Sequence, residues 1–161
     1  MKGIRGVPGS REPLRIDRQL CFPLYAASRL MTRAYQPLLA PLGLTYPQYI
    51  VLLVLWEDAP CTVCHIGERS LLNSNTLTPL LKRLEKAGYV SRTRCTSDER
   101  SVEIALTKAG VALEEECIHI PKRLSKAIAY PASRARALKS ELIVLLAALA
   151  KGAGCKWGGA D

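Results

Sequence analysis

Between residues 18 and 40, apolar side chains recur mostly every third or fourth position: Leu20, Leu24, Ala27, Leu30, Met31, Ala34 and Leu38. That spacing lines one face of a helix. Pro23 and Pro37 fall near its two ends, where a lost backbone donor costs least, and Pro41 with Gly43 breaks the pattern. A second helix is predicted from Tyr46 to about Glu57. Proline at position 47, just inside its start, gives up an N–H that has no helical partner there. The stretch Tyr49-Ile-Val-Leu-Leu-Val-Leu-Trp56 is apolar nearly all round, which means burial, and Asp58-Ala-Pro60 ends it. A short third helix over about 62–70, a turn at Leu72-Asn-Ser74 and a fourth helix over about 75–87 follow, with Gly88 as a C-terminal cap. Pro79 lies inside the fourth pattern and predicts an irregular first turn or a start at Thr78.

Residues 89–94 and 102–106 alternate as strands do, around a polar turn over 96–101. They form a hairpin with a charged tip. Thr107 is an N-cap for a long helical stretch toward Tyr130, bent by Pro121, and Ser133 caps a last helix over about 134–151. Residues 1–17 carry Gly3, Gly6, Pro8, Gly9 and Pro13 and read as a flexible arm; the Gly-rich residues 152–161 read as a flexible tail. The fold class is therefore mainly α with a small β-hairpin. Residues 18–151 make one domain whose middle part, about 46–106, is a winged helix-turn-helix. The outer helices, about 18–41 and 108–151, are too apolar and too peripheral to stand alone. They are expected to pair with those of a second chain, giving a homodimer.

Composition narrows the partner. The chain has 161 residues, 48% of them hydrophobic, with a net charge of +9. It is long enough for one domain with a real core. A basic balance of this size favours a polyanion, nucleic acid before anionic membrane. The run Leu142-Ile-Val-Leu-Leu-Ala-Ala-Leu-Ala150 is far below the ~20 residues needed to span a bilayer, so no membrane partner is expected. The uncharged run from Gln19 to Ser28 contains Pro23 and stops at Arg29, which does not read as a signal peptide. A cytoplasmic protein with mostly reduced thiols is expected.

The fourth helix carries Asn73, Ser74, Asn75, Thr76 and Thr78 at its start and Lys82, Arg83 and Lys86 further along. Short polar side chains at the start of such a helix reach base edges, while Lys and Arg meet phosphates. Arg92, Arg94 and Arg100 surround the hairpin turn, and an arginine on a wing suits the narrow, electronegative minor groove. Asp98 lies two residues before Arg100 and is placed to brace it. An ordinary solvated face would also be charged. The order helix, turn, helix and basic hairpin argues against it, because independent local features agree. Double-stranded operator DNA is the expected partner.

The chain has six cysteines. Cys61-Thr-Val-Cys64-His65 spells the c-type haem attachment pattern and half of a zinc site. Haem attachment needs export, and a structural zinc needs two further ligands, for which Cys117 and His119 are far in sequence. No cofactor and no metal are expected. Cys95 and Cys155 read as incidental; Cys64, near a helix start, is a weaker second redox candidate. Cys21 lies in the apolar stretch Leu20-Cys-Phe-Pro-Leu-Tyr25. Taken alone it reads as a small buried hydrophobe. Sharing a chain with a DNA-reading helix makes it a candidate switch.

Leu44-Thr-Tyr-Pro-Gln-Tyr49, Leu55-Trp-Glu57, Ile66-Gly-Glu-Arg69, Thr76-Leu-Thr-Pro-Leu-Leu-Lys-Arg-Leu-Glu85, Asp98-Glu-Arg100 and Leu106-Thr-Lys-Ala-Gly110 resemble the MarR family of transcriptional regulators. Within it they resemble most the organic-hydroperoxide-sensing repressors, over about residues 18–150. The resemblance implies a repressor, not an enzyme, whose operator affinity is switched off when Cys21 is oxidised by an organic hydroperoxide. It also implies that Tyr35 and Tyr46 are the two tyrosines that hydrogen-bond the sensing thiol. In two-cysteine members a resolving cysteine follows in the fifth helix. The matching stretch here, Leu124-Ser-Lys-Ala127, has none, so either Cys117, two to three turns earlier, acts from the partner subunit or a small thiol does the job. Asn75 stands where the family often has glycine.

Only a thiolate attacks peroxide, and tyrosine hydroxyl donors favour the charged form. Attack gives a sulfenic acid that condenses with another thiol. Polar bulk at a dimer seam then moves two recognition helices off the ~34 Å spacing of successive grooves. Two other readings stay open: release by a small phenolic or apolar ligand with Cys21 a passive neighbour, and a thiol peroxidase. The last needs an activating cation, for which Arg18 and Arg29 are nearest, and leaves the DNA-reading part unexplained.

Overall fold

A computed structural model describes residues 12–94 and 101–154. Two single 3-10 turns, Glu12–Leu14 and Ile16–Arg18, lead into α1 (Cys21–Leu39). Then come α2 (Tyr46–Asp58), β1 (Cys61–Thr62), α3 (Val63–Ser70) and α4 (Ser74–Lys86). The wing strands β2 (Val90–Arg94) and β3 (Val102–Leu106) precede α5 (Lys108–Cys117), α6 (Ile120–Ile128) and α7 (Ala132–Ala153).

The core forms around α2. Gln48 Oε1 accepts from the Thr45 N–H at 2.8 Å and from its hydroxyl at 2.9 Å, which fixes the start of the helix. From there Tyr49, Val51, Leu52, Val54 and Leu55 are buried, but Leu53 is exposed, so the apolar run is not buried all round. They pack with Leu39, Ile66, Leu77, Leu81, Leu84 and Ile104 in one cluster. Two ion pairs and a hydrogen bond fasten α3 to the end of α2: Arg69 to Glu57, Arg69 to Asp58 at 3.2 Å, and the His65 ring to Asp58 at 2.7 Å. That orients the turn that launches α4.

Pro79 does not delay α4. The helix starts at Ser74 with Asn73 as its cap, whose side-chain oxygen accepts from the Thr76 N–H at 2.9 Å. An interior proline costs about 3 kcal/mol. Burying Leu77, Leu80, Leu81 and Leu84 on one face offsets that at roughly 1.5–3 kcal/mol each. The helix keeps its first turn because its leucine face needs it.

The hairpin is present, with Val90 opposite Leu106 and Arg94 opposite Val102, but the sheet has three strands in the order β1-β3-β2. β1 pairs Cys61 with Ile104, and two residues are too few to show a period in sequence. The stretch after Thr107 breaks rather than bends. The ring of Pro121 would meet the carbonyl four residues back, that of Cys117, which is the last residue of α5. Proline then sits at the start of α6, where it lacks nothing. Ser133 lies inside α7, whose N-cap is Pro131.

The peripheral helices pack little. α6 lies against α1 and buries Ile120 and Leu124. α1 buries only Leu39, and α7, 22 residues long, buries nothing. Leu20 just before α1, Phe22, Tyr25, Leu30 and Met31 on it, and Leu138, Val144 and Leu149 on α7 are exposed. No single helix among the described residues is long and apolar enough to cross a membrane.

Candidate functional site

Burial of its leucines turns the opposite side of α4 outward. Ser74, Asn75, Thr76, Thr78, Lys82, Arg83 and Lys86 are all exposed. At 100° per residue, Asn75, Lys82 and Lys86 fall within a narrow stripe on the face away from Leu84. Asn73 is different: its side chain is used in capping. The outward face thus offers short polar groups near the helix start and cations beyond them, the distribution that base edges and phosphates require.

On the wing, Arg94 is exposed while Arg92 is turned inward. Arg92 Nη1 lies 3.5 Å from Glu85 of α4, and its Nε is buried without a protein partner. Arg92 therefore ties the wing to the end of α4. Asp98 and Arg100 at the tip, and Cys95 and Cys155, lie outside the described residues.

The thiol and the tyrosines are separated. Cys21 is the first residue of α1 and is exposed. Tyr35 lies 14 positions later on the same helix, which at 1.5 Å per residue is ~21 Å away. One chain cannot join them. Tyr35 and Tyr46, by contrast, are stacked with ring centroids 4.6 Å apart. Both are half-buried, and burial raises both phenol pKa values, that of Tyr35 further through Tyr46, so both keep their protons as donors. Beside Tyr46 a half-open cavity of about 270 Å³ lies between α1 and the start of α2, lined by Arg33, Gln36, Leu44, Tyr46 and Pro47.

Behind the tyrosine pair, Tyr49 lies 5.6 Å from Tyr35 and 6.2 Å from Trp56, ring to ring. Tyr49 is 2% exposed, and burial pushes its phenol up to about 12. Sequence reading gave Tyr46 a sensing role and assigned the rest of α2 to the core. The single signal for more was the aromatic spacing along it.

Cys117 is 2% exposed in the core, and burial, with the Glu116 charge, pushes its thiol up to about 11. Cys61 pairs in β1, and its thiol is raised by burial and by the Asp58 and Glu103 carboxylates. Cys64 is exposed at the start of α3, and the His65 ring is bonded to Asp58. Among the described residues no three His, Cys, Asp or Glu side chains converge as a metal site requires.

Residues 33–117 match the family of transcriptional regulators SarA/Rot. An organic hydroperoxide resistance transcriptional regulator of Bacillus subtilis is 46% identical over 136 residues, which cover 84% of this chain and 92% of that protein. Reduced AbfR bound to DNA superposes with a TM-score of 0.71 at 41% identity, over 86% of this chain and 97% of that one. AbfR comes from Staphylococcus epidermidis. Its disulfide form superposes with a TM-score of 0.56 at the same 41% identity, over 84% and 96% of the two chains.

Proposed function

The chain belongs to the SarA/Rot and MarR-type winged-helix transcriptional regulators, in their organic-hydroperoxide-sensing branch, and on that premise we propose that Cys21 is its sensing thiol and acts across a homodimer. One observation carries the reading. Cys21 lies ~21 Å along α1 from Tyr35, while Tyr35 and Tyr46 form a stacked donor pair that Cys21 of their own chain does not reach. The partner's α1 supplies it. A second copy also accounts for α1 and α7, whose apolar side chains are exposed in one chain. Helices that bury one residue or none draw little stability from packing within their own chain.

Tyr35 and Tyr46, protonated and half-buried, donate to the partner's sulfur and favour its thiolate. The thiolate attacks the outer oxygen of the hydroperoxide. An S–O bond forms, the O–O bond breaks, and the alkoxide leaves and takes a proton to become an alcohol. Sulfur is oxidised to the sulfenic acid and the peroxide is reduced. The cavity beside Tyr46 suits the organic tail. Buried Cys117, with a thiol pushed up to about 11, is a poor resolving group in the folded protein. The sulfenic acid then condenses with a small thiol, releasing water and leaving a mixed disulfide.

Asn75, Ser74, Thr76 and Thr78 read base edges; Lys82, Arg83, Lys86 and Arg94 meet phosphates, with Arg100 and Asp98 at the wing tip. Arg92 serves them by holding Glu85. The oxidised seam moves the two α4 helices out of register with operator DNA, and the regulated genes are released.

The same cavity favours one rival, in which a small phenol enters beside Arg33 and Tyr46 and displaces the DNA without oxidation. One titration separates the two. Operator binding is measured with and without cumene hydroperoxide and a small thiol, for wild type and Cys21→Ser, with intact mass after each point. The sensor reading expects release and a mass gain in wild type only. Equal release by the serine variant moves the sensor elsewhere, and release by a phenol with every thiol intact supports the rival.

A further inference from the structure

The aromatic residues of α2 do more than fill the core. Tyr35 and Tyr46 stack at 4.6 Å, Tyr49 meets Tyr35 at 5.6 Å, and Trp56 stands edge-on to Tyr49 at 6.2 Å. The column runs along α2 from the tyrosine pair to the far end of the helix. There the Trp56 indole N–H donates to the Gly110 carbonyl at 2.9 Å, in the first turn of α5.

Gly110 is the tightest joint described in the chain. A methyl group there would lie 2.0 Å from the Tyr89 carbonyl oxygen. Thr107, which caps α5, accepts from the Gly110 N–H at 3.1 Å and donates its hydroxyl to the Gly88 carbonyl at 2.6 Å. Its own N–H donates to the Tyr89 carbonyl at 3.0 Å. Gly88 and Tyr89 connect the end of α4 to the wing strand β2. The start of α5, the base of the wing and the end of α4 are thus one hydrogen-bonded joint, and Trp56 is the side chain that reaches it from the tyrosines.

We propose that Tyr49 and Trp56 are positioning residues that couple the Tyr35–Tyr46 pair to the Gly110 joint, so that oxidation at the tyrosines is felt as movement of the wing and α4. The inference rests on the sensing role given above to those tyrosines. Close-packed side chains transmit displacement because they have discrete arrangements rather than soft ones. When the sulfur bonded to Tyr35 and Tyr46 acquires oxygen, the stacked pair must shift. Tyr49, 2% exposed, lies between that pair and Trp56 and receives the shift through its ring contacts. The indole either drags the α5 carbonyl or loses it, and both outcomes unseat the wing base.

Trp56→Phe tests this, because it keeps an aromatic ring against Tyr49 and deletes only the N–H donor. The reduced variant should bind operator within about twofold of wild type, and intact mass should show Cys21 oxidised as fast as in wild type. The ratio of oxidised to reduced Kd should fall by about twofold to tenfold, the net worth of one hydrogen bond. Tyr49→Leu breaks the ring contacts instead and should show the same signature; it serves if the phenylalanine variant fails to fold. A folded variant with the full wild-type ratio overturns the coupling. So does equal weakening of the reduced and oxidised Kd values, which marks a structural role only. Should wild type keep its operator after Cys21 is shown oxidised by mass, it is the sensing role that fails.

Discussion

Gly110→Ala sets two opposed effects against each other, and their sizes decide the outcome. Gly110 is the third residue of α5, and alanine in a helix interior is favoured over glycine by about 1 kcal/mol. On propensity alone the variant is stabilised. The new methyl, however, would lie 2.0 Å from the Tyr89 oxygen, 3.0 Å from the Tyr89 carbonyl carbon and 3.2 Å from Leu106 Cδ2. Ordinary contact of carbon with a carbonyl oxygen needs more than an ångström extra, and the neighbour is backbone held in the wing. Overpacking of this kind costs about 1–3 kcal/mol. A shift large enough to clear it also stretches the Trp56–Gly110, Gly110–Thr107 and Thr107–Tyr89 bonds, now 2.9, 3.1 and 3.0 Å. At about 1 kcal/mol each, they bring the net loss to about 3–5 kcal/mol after the propensity gain. Urea unfolding followed by circular dichroism, at one fixed protomer concentration because association contributes to stability, reads it directly. With a slope on the order of 2 kcal/mol per molar urea, the midpoint should fall by about 1.5–2.5 M. A midpoint unchanged or raised would mean that propensity governs and that the joint is slack, and the coupling proposed through it would lose its basis.

Cys117 should resist iodoacetamide at pH 8 in the folded protein and be labelled once urea is added, as read by peptide mass; labelling in the native state would show that the helix junction opens. Its thiol is more protonated folded than unfolded between about pH 9 and 11, so stability should decline as pH rises through that window, and Cys117→Val should flatten that part of the urea-midpoint curve. Lys86→Ala should weaken operator and random DNA alike and lower the slope of log K against log salt by about one for each copy in contact. A change confined to the operator would make Lys86 a base reader instead.

Most of the architecture could be read from periodicity, because the helices that carry the winged unit bury their apolar faces within the same chain. The leucine stripe of α4 and the unbroken apolar run of α2 are local patterns with local consequences. What escaped has a physical reason in each case. β1 is two residues long and is held by Ile104 and Glu103 of a distant strand. The break before α6 follows from a clash of Pro121 with one particular carbonyl, which sequence shows only as a proline. The bonds of Arg69 and His65 with the end of α2 join residues 7 to 12 positions apart through a turn whose geometry sequence does not give. The winged unit was legible for the same reason that the thiol site was not. Spacings of 14 and 25 residues name Tyr35 and Tyr46 as partners of Cys21 only through the family resemblance, and the length of α1 requires that the partnership be made between chains.

Geometry also sorts the DNA-facing residues that composition lumps together. Asn73 caps the helix and Arg92 pairs with Glu85, so both have partners within the chain. Asn75, Thr78, Lys82 and Lys86 remain outward and without intramolecular duties. That division gives α2 its importance. Its near end sets Tyr46 against Tyr35, its buried centre holds Tyr49, and its far end sends Trp56 to the strand and helix ends that fix where α4 and the wing stand. Apart from Tyr46, α2 reads in sequence as core, yet it contacts both the tyrosine pair and the Gly110 joint. A thiol chemistry at a dimer seam can control a DNA-reading helix only through something rigid that reaches both, and α2, with Tyr49, Val51, Leu52 and Leu55 buried, is the element proposed here to do so.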